Sequence, residues 1–185
     1  MSPASLDTAV EDTRRWLERA VVGLNLCPFA KSVMVRKQVH ITATEADDAQ
    51  GVLDAFQQEL DALLALDARE RDTTLLVVPR GMDDFLEFLD LTARAERIVR
   101  KRGLEGVIQV AHFHPRFVFA GVEEDDITNC TNRSPHPTLH LLREASIDRA
   151  VAAFPDAAAI YEANMERLRR LGPEGWDALG VGKTP

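Results

Sequence analysis

Thr73 to Val78 form a short apolar run that stops at Pro79-Arg80-Gly81. A continuous run of this length is typical of a strand in the centre of a sheet, buried on both faces. We therefore expect the chain to fold around a sheet in which this segment is an inner strand.

The segments around this run alternate between helical and strand patterns. Apolar residues at helical spacing predict helices over 6–23, 45–67 and 83–103. A period of two predicts a strand over 33–41, and residues 106–113 are the third predicted strand. This αβαβαβ order with helical crossovers predicts an α/β sandwich around a small, at least partly parallel sheet. A ferredoxin-like α+β arrangement is the alternative.

One domain over residues 1–185 is expected, because a chain of this length can bury about 70% of its unfolded surface. Its predicted parts are the N-terminal helix 6–23, an α/β core over 32–120 with a short strand at 117–120, a polar loop over 121–137, C-terminal helices over 138–152 and 156–171 with a break at Pro155-Asp156, and a disordered tail over 180–185. Long polar loops in compact domains are often functional or disordered, which directs attention to residues 121–137.

The charge and the apolar pattern exclude several classes of protein. A net charge of -8 argues against nucleic-acid binding, which needs clustered Lys and Arg. No apolar run approaches the roughly 18 residues of a membrane span, and the acidic N-terminus lacks the apolar region of a signal peptide. Two distant cysteines without a CxxC pattern indicate reduced thiols, so we expect a cytoplasmic protein. Nothing in the pattern specifies an oligomeric state.

Two histidines mark the end of the third predicted strand. Ile108, Val110, His112 and His114 share one face, because strand side chains alternate. Ligands of open parallel α/β sheets bind outside the carboxyl ends of the strands. This predicts that His112 or His114 touches a ligand, with His114 as a candidate acid/base; the alternative is that one caps a loop carbonyl and the other is solvated.

His140 falls within the predicted helix 138–152. Helical spacing places it on one stripe with Glu144, Ile147 and Val151, so the imidazole should be partly buried. Glu144, one turn further on, could then fix the tautomer of His140 and raise its basicity. A catalytic His140–Glu144 pair and a satisfied core histidine are both consistent with this pattern.

Asn132-Arg133-Ser134 precede the same predicted helix. A helix start offers unpaired N–H groups, and the planar guanidinium of Arg133 suits a carboxylate or phosphate. This predicts a site for an anionic small molecule, with Arg116 as a second cation and Arg143 as a further candidate ligand-binding residue. In the alternative, Asn132 and Ser134 are turn residues and Arg133 pairs with a nearby aspartate.

Cys27 lies in a turn before Pro28. A free cysteine is usually a packing residue, but histidines beside it would make Cys27 a candidate nucleophile. No cofactor is predicted. The alternative is zinc or another metal bound by Cys27, His112, His114 and His140, although no close-spaced ligand pair such as CxxC supports it. The chain has no GxGxxG, Walker or GxSxG motif, so nucleotide-binding and serine-hydrolase functions have no support.

The segments NLCPFA, HFHPRFVFAG and TNRSPHPTLHLLRE together resemble a family of small, mainly bacterial proteins catalogued as domain of unknown function fourteen-fifteen. The resemblance spans roughly residues 10–179. It implies that the following residues belong to the family's motifs: Cys27, Pro28, His114, Pro115, Asn132, Arg133, Ser134, Pro135, His140 and Arg143. It implies no activity, cofactor or catalytic residue.

Three hypotheses follow from these residues. The first is a polar pocket for an anionic small molecule, in a His-dependent acid/base enzyme or an enzyme-like binding protein. The second is a metal-binding protein that uses Cys27 and histidines. The third is a non-catalytic interaction module in which the loop 121–137 forms the docking surface.

Overall fold

A computed structural model describes residues 5–153 and 157–184. The regular elements in chain order are α1 (Leu6–Trp16), α2 (Ala30–Val35), β1 (Val39–Ala43), α3 (Ala49–Ala65), β2 (Thr73–Val77), α4 (Phe85–Lys101), β3 (Ile108–Phe113), β4 (Thr138–Arg143), α5 (Glu144–Ala153) and α6 (Ala157–Ala178). A π-helical segment, Leu17–Val22, continues α1, and a 3₁₀ helix, Ile127–Thr131, lies in the long polar loop.

The four strands form one mixed sheet in the order β1-β2-β4-β3. β1 and β2 are parallel, and β4 pairs antiparallel with both β2 and β3. Three strands therefore run in one direction, and β4 runs against them between β2 and β3. This confirms the α/β class and the partly parallel sheet.

Helices pack on both faces of the sheet. One core cluster joins β2, β3 and β4 to α3 and α4, with Phe56 and Phe88 fully buried. A second cluster joins β1 and β2 to α1 on the opposite face, with Trp16 at 1% exposure. All five residues of β2 are buried, as the apolar run predicted.

The sequence prediction for the first strand is wrong at its beginning. Val33–Val35 belong to α2, a short helix without buried residues, in which Val35 is 74% exposed. Lys37 then adopts a positive φ of 57°, and β1 begins only at Val39. Val33 and Val35 alternate with polar or flexible residues as in a strand, but in the structure they lie on a short helix that has no buried residue. The short strand predicted at 117–120 is also absent, and these residues are irregular.

The larger correction concerns residues 138–143, which were predicted to be helical. They form β4, and α5 begins only at Glu144. The reason is non-local. Without β4, the facing edges of β2 and β3 would have unpaired backbone N–H and C=O groups, and β4 pairs with both strands. α6 extends beyond its predicted end, with a kink at Gly172. The predicted break at Pro155-Asp156 lies outside the described residues.

The C-terminal segment was expected to be disordered from residue 180. In the structure, residues 179–184 lie along α1 and the π-helical segment. Arg15 donates to the carbonyl oxygens of Gly180 and Gly182, at 2.9 and 3.0 Å, and Arg19 donates to that of Leu179 at 2.9 Å. Pro185 lies outside the described residues. No helix among the described residues is long and apolar enough to cross a membrane.

Gly81, in the turn between β2 and α4, allows a close approach of two backbone segments. It has φ of 74°, and a Cβ atom there would lie 1.8 Å from the carbonyl oxygen of Asp47. We predict that Gly81→Ala lowers the free energy of unfolding by about 2–5 kcal/mol, as a sum of left-handed backbone strain and overpacking.

Gly106→Ala is the matched control. Gly106 has φ of 76° with nothing within 4 Å of the added Cβ, so this variant should lose only about 1–2 kcal/mol. Urea unfolding of both variants measures the difference. Equal losses would show that the contact with Asp47 does not matter.

Candidate functional site

The candidate site lies at the end of the sheet where β1, β2 and β3 finish and β4 begins. The amide of Val78 donates to the carbonyl of Pro137, which extends the β2–β4 pairing beyond the strands. The amide of His114, just after β3, donates to the carbonyl of Asn132. Segments that follow two parallel strands therefore meet the segment that precedes β4.

A buried carboxylate–imidazole pair lies at this end of the sheet. Asp12 of α1 and His136, just before β4, are 0% and 1% exposed, and Oδ2 of Asp12 is 3.0 Å from Nε2 of His136. The hydroxyl groups of Ser134 and Thr138 both donate to the carbonyl oxygen of His136, at 2.5 and 2.9 Å. The backbone around His136 is therefore held on both sides.

Asp12 accepts further hydrogen bonds that keep it ionised. Arg15 donates to Oδ1 at 2.7 Å, and Thr184 donates its amide to Oδ2 at 3.0 Å and its hydroxyl to Oδ1. Burial pushes the pKa of Asp12 upward, but the hydrogen bonds from Thr184, His136 and Arg15 outweigh it and hold the pKa below its usual value. The carboxylate is therefore charged at neutral pH.

An ionised Asp12 fixes the tautomer of His136. The carboxylate accepts only, so Nε2 of His136 carries the hydrogen and Nδ1 is left with a bare lone pair. Nδ1 is buried and has no hydrogen-bond partner among the described residues. Burial lowers the pKa of His136, against the opposing hydrogen bond to Asp12, so the neutral form predominates at neutral pH.

His114 is fully buried with both of its ring nitrogens bonded. Nε2 lies 2.9 Å from the carbonyl oxygen of Met82, and Nδ1 accepts from the amide of Arg116 at 3.0 Å. The ring packs between Phe85 and Phe88, and burial lowers its pKa. His114 joins the ends of β2 and β3, so an acid/base role would require the loss of one of these bonds.

The remaining histidines of this region lie on opposite faces of the sheet. The His112 ring contacts Phe88 and Phe117 on the face of α3 and α4, and burial lowers its pKa. His140 lies on the face of α1, where Nε2 is 2.6 Å from the hydroxyl oxygen of Thr73. Because that hydroxyl donates to the carbonyl of Leu141, Nε2 of His140 is the donor.

The predicted pairing of His140 with Glu144 rested on helical spacing, and the spacing does not apply because His140 lies in β4. Thr73, on the neighbouring strand, holds the His140 ring in place of Glu144. Glu144 begins α5 at the far end of β4, away from the carboxyl ends of the parallel strands. Glu144 is therefore separated from the Asp12–His136 pair by the length of β4, and His140 lies within that strand.

Two adjoining cavities open beside the segment that precedes β4. The first, of about 450 Å³, and the second, of about 510 Å³, share Pro115, Asp125 and Arg133. The first cavity is also lined by Ile127, Cys130, Ser134, Pro135, Pro173, Trp176, Asp177, Val181, Gly182 and Lys183, and the second by Arg116, Glu123 and Glu124. Arg133, Ser134 and Arg116, all proposed from the sequence, therefore line cavities at this site.

Arg133 is held by backbone carbonyls, and no aspartate within the described residues forms an ion pair with it. Its Nε donates to Phe117 at 3.0 Å and one terminal nitrogen donates to Glu124 at 2.6 Å. A guanidinium has five N–H donors, so others remain for a ligand. Asp125 and Asp177 line the first cavity with Arg133 and Lys183, so its charged groups are balanced.

The structure gives Arg143 and Asn132 other surroundings than the cavities. The guanidinium of Arg143 donates to the carbonyls of Leu63, Leu66 and Arg71, where it closes the C-terminal end of α3. Asn132 contributes its backbone carbonyl, which accepts from the amide of His114.

Cys27 and the three histidines of the metal alternative are distributed over both faces of the sheet. Cys27 packs against the cluster on the side of α1, whereas His112 and His114 contact Phe88 of α4. Within residues 5–153 and 157–184, no three His, Cys, Asp or Glu side chains are grouped as metal ligands. Cys130 is buried beside the first cavity, and burial raises the pKa of its thiol.

Sequence reasoning missed Asp12, His136, Lys183 and Arg80. Asp12 lies on the buried stripe of α1 between Ala9 and Trp16, and a carboxylate on an apolar stripe was a visible signal. His136 stands between two prolines within a segment that was predicted as a loop. Arg80 follows β2, and its Nε atom is buried without a hydrogen-bond partner in the described part of the chain.

The His140 imidazole generates a prediction about stability and pH. Burial lowers its pKa from 6.5 to about 4. The unfolded chain therefore binds a proton that the folded chain rejects, and stability falls as the pH drops below about 6.5. Between pH 7.5 and 5, the free energy of unfolding falls by at most about 2 kcal/mol from this residue. This value is an upper bound, because His140 keeps part of its surface exposed to solvent.

We predict that His140→Gln, which can still bond to Thr73, flattens this pH dependence by up to that amount. His40→Gln is the control: burial and the charge of Arg71 lower the pKa of His40, but the nearby carboxylate of Glu59 opposes them, so we expect this variant to flatten the pH dependence less than His140→Gln. Urea unfolding across this pH range measures both slopes. An unchanged slope in His140→Gln would contradict the prediction.

Comparison with known proteins identifies one family. The family described as "Protein of unknown function (DUF1415)" matches residues 8–178, a range that includes Asp12, Arg133 and His136 but not Lys183 or Thr184. Neither the curated proteins nor the solved structures gave a significant match. The chain belongs to the DUF1415 family of proteins of unknown function.

Proposed function

We propose that this protein binds a small molecule that carries an anionic group, in the cavities beside the segment that precedes β4. The observation that carries the proposal is the position of Arg133, whose side chain lines both adjoining cavities. Two backbone carbonyls hold the guanidinium in place, so it is oriented before a ligand arrives. A pre-oriented planar guanidinium suits a carboxylate or a phosphate.

The other residues of the first cavity restrict the kind of ligand. Pro173, Trp176 and Val181 supply an apolar wall, which favours a ligand with an apolar body. Asp125 and Asp177 balance the charges of Arg133 and Lys183, so a polyanion would meet repulsion. We therefore expect a singly anionic or zwitterionic ligand of metabolite size.

A location and a partner class accompany this proposal. Cys27 and Cys130 are both free thiols, which supports a reducing, cytoplasmic environment. The net charge of -8 supports a small molecule and not a nucleic acid as the partner. A catalytic role is a separate step, and it depends on a proton-accepting group near the cavity.

We predict that Arg133→Gln abolishes binding of small carboxylates and phosphate. Suitable probes are inorganic phosphate, acetate and glycine, followed by thermal unfolding and by NMR titration. A ligand at 100 times its Kd stabilises by about 2.7 kcal/mol, which for a domain of this size is a rise in Tm of roughly 5–10 °C. The wild type should show this rise with at least one probe, and Arg133→Gln should show none.

Arg97→Gln is the matched control, because it removes the same charge from an exposed position on α4. It should bind the probes like the wild type. Retained binding in Arg133→Gln, or no binding by the wild type, would count against an anion site at Arg133.

A further inference from the structure

We propose that Asp12 and His136 form a proton-transfer pair, in which Nδ1 of His136 accepts a proton from a ligand in the first cavity. The ligand class is a small molecule with a hydroxyl or a protonated amine near its anionic group. This inference rests on the proposed function in one respect, because the ligand of that cavity supplies the proton. Neither residue was a candidate on the sequence alone.

The strongest support is the contrast between His136 and His114. Both side chains are buried and lie at the same end of the sheet, with exposures of 1% and 0%. His114 has both nitrogens bonded to backbone groups, as expected of a histidine with a structural role. Among the described residues His136 is bonded at Nε2 only, and a buried polar atom that lacks a partner is unfavourable unless it serves a function.

Asp12 prepares His136 for this reaction. The carboxylate holds the hydrogen on Nε2, which leaves the lone pair of Nδ1 in the plane of a fixed ring. When the ligand's O–H or N–H bond breaks, its electron pair stays on the ligand and the proton forms a bond to Nδ1. The imidazolium produced lies 3.0 Å from an ionised carboxylate, which stabilises it, and no oxidant or further reactant is needed.

The charged groups around the pair favour a reversible transfer. Lys183 opposes a positive charge on His136, whereas Asp12 and Asp83 favour it. Within the described part of the chain, Arg15 and Thr184 bond to the carboxylate of the pair and not to its imidazole, so they act on His136 through Asp12. Burial keeps His136 neutral at rest and therefore ready to accept a proton.

The C-terminal segment connects the pair to the cavity. Thr184 bonds to Asp12, while Val181, Gly182 and Lys183 of the same segment line the first cavity. Nδ1 is buried in this arrangement, so we infer that residues 182–184 move before a ligand reaches it. The segment is held to α1 by polar contacts from Arg15 to two glycine carbonyls and the Thr184 hydroxyl, and by Val181, which is buried in the apolar cluster on the side of α1. Residues 182–184 follow this apolar anchor and are exposed, so they can open locally at a lower free energy than the whole fold.

Acylation by diethyl pyrocarbonate tests both the lone pair and its accessibility. The Nδ1 lone pair forms a bond to a carbonyl carbon of the reagent, a C–O bond breaks, and ethyl carbonate leaves with that electron pair. Peptide mass spectrometry then gives a separate rate for each histidine of the full-length protein. We expect His136 to react roughly tenfold or more faster than His114, which is exposed only by global unfolding.

Two variants isolate the role of the C-terminal segment. Thr184→Ala should raise the rate at His136 a further severalfold and leave the rate at His114 unchanged. Thr8→Ala is the control, because it removes a hydroxyl at the start of α1 whose hydrogen-bond partner among the described residues is Ser5. It should change neither rate. Equal rates at His136 and His114, in the wild type and in Thr184→Ala, would overturn the proposal.

Nitrogen NMR of histidine-labelled protein is a second, independent measurement. It should show His136 in the Nε2–H form with an unprotonated Nδ1 at neutral pH, and a merely structural histidine would show both nitrogens hydrogen-bonded. A protonated or hydrogen-bonded Nδ1 would also overturn the proposal. The anion site is tested by the binding of the probes to Arg133→Gln, and the proton-transfer pair by the reactivity of His136 in the protein without a ligand, so the two proposals can fail separately.

Discussion

The buried carboxylate of Asp12 is the interaction on which the arrangement of this protein most depends. It joins α1 to the segment before β4 through His136 and to the C-terminus through Thr184. A carboxylate removed from water is costly unless hydrogen bonds and opposite charges compensate it. Here Arg15, His136 and Thr184 supply that compensation together, so each partner also constrains the segment on which it lies. Loss of one partner would leave part of the charge uncompensated and would loosen the other segments.

Local periodicity was sufficient for much of the fold. The apolar run of β2 and the helices on either side of it have apolar periodicities that are visible within each segment alone. The αβαβαβ order was therefore predictable without knowledge of the tertiary contacts. β4 was not, because the sequence TLHLLR fits a helical spacing as well as a strand. What makes it a strand is the presence of β2 and β3 on its two sides, and no pattern within six residues carries that information.

The same distinction applies to the site. Arg116, Arg133 and Ser134 were predicted from residue type and position, and all three line the cavities. Asp12 and His136 are 124 positions apart in the sequence. They meet because α1 packs on one face of the sheet and Asp12 lies near the end at which β4 begins. The prediction for His140 was based on a helix that does not form, and its imidazole lies further along β4 against Thr73.

The direction of β4 explains why these groups meet at one end of the sheet. In a purely parallel sheet, only segments that follow strands reach the end at which ligands bind. Here β4 runs the other way, so the segment that precedes it enters from that same end. Residues 134–137 therefore lie beside the segments after β2 and β3. His136 reaches the binding end of the sheet from a segment that precedes a strand, and not from one that follows a strand. An antiparallel strand in an otherwise parallel sheet thus adds a second source of side chains to the binding end, and Asp12 of α1 is within reach of it.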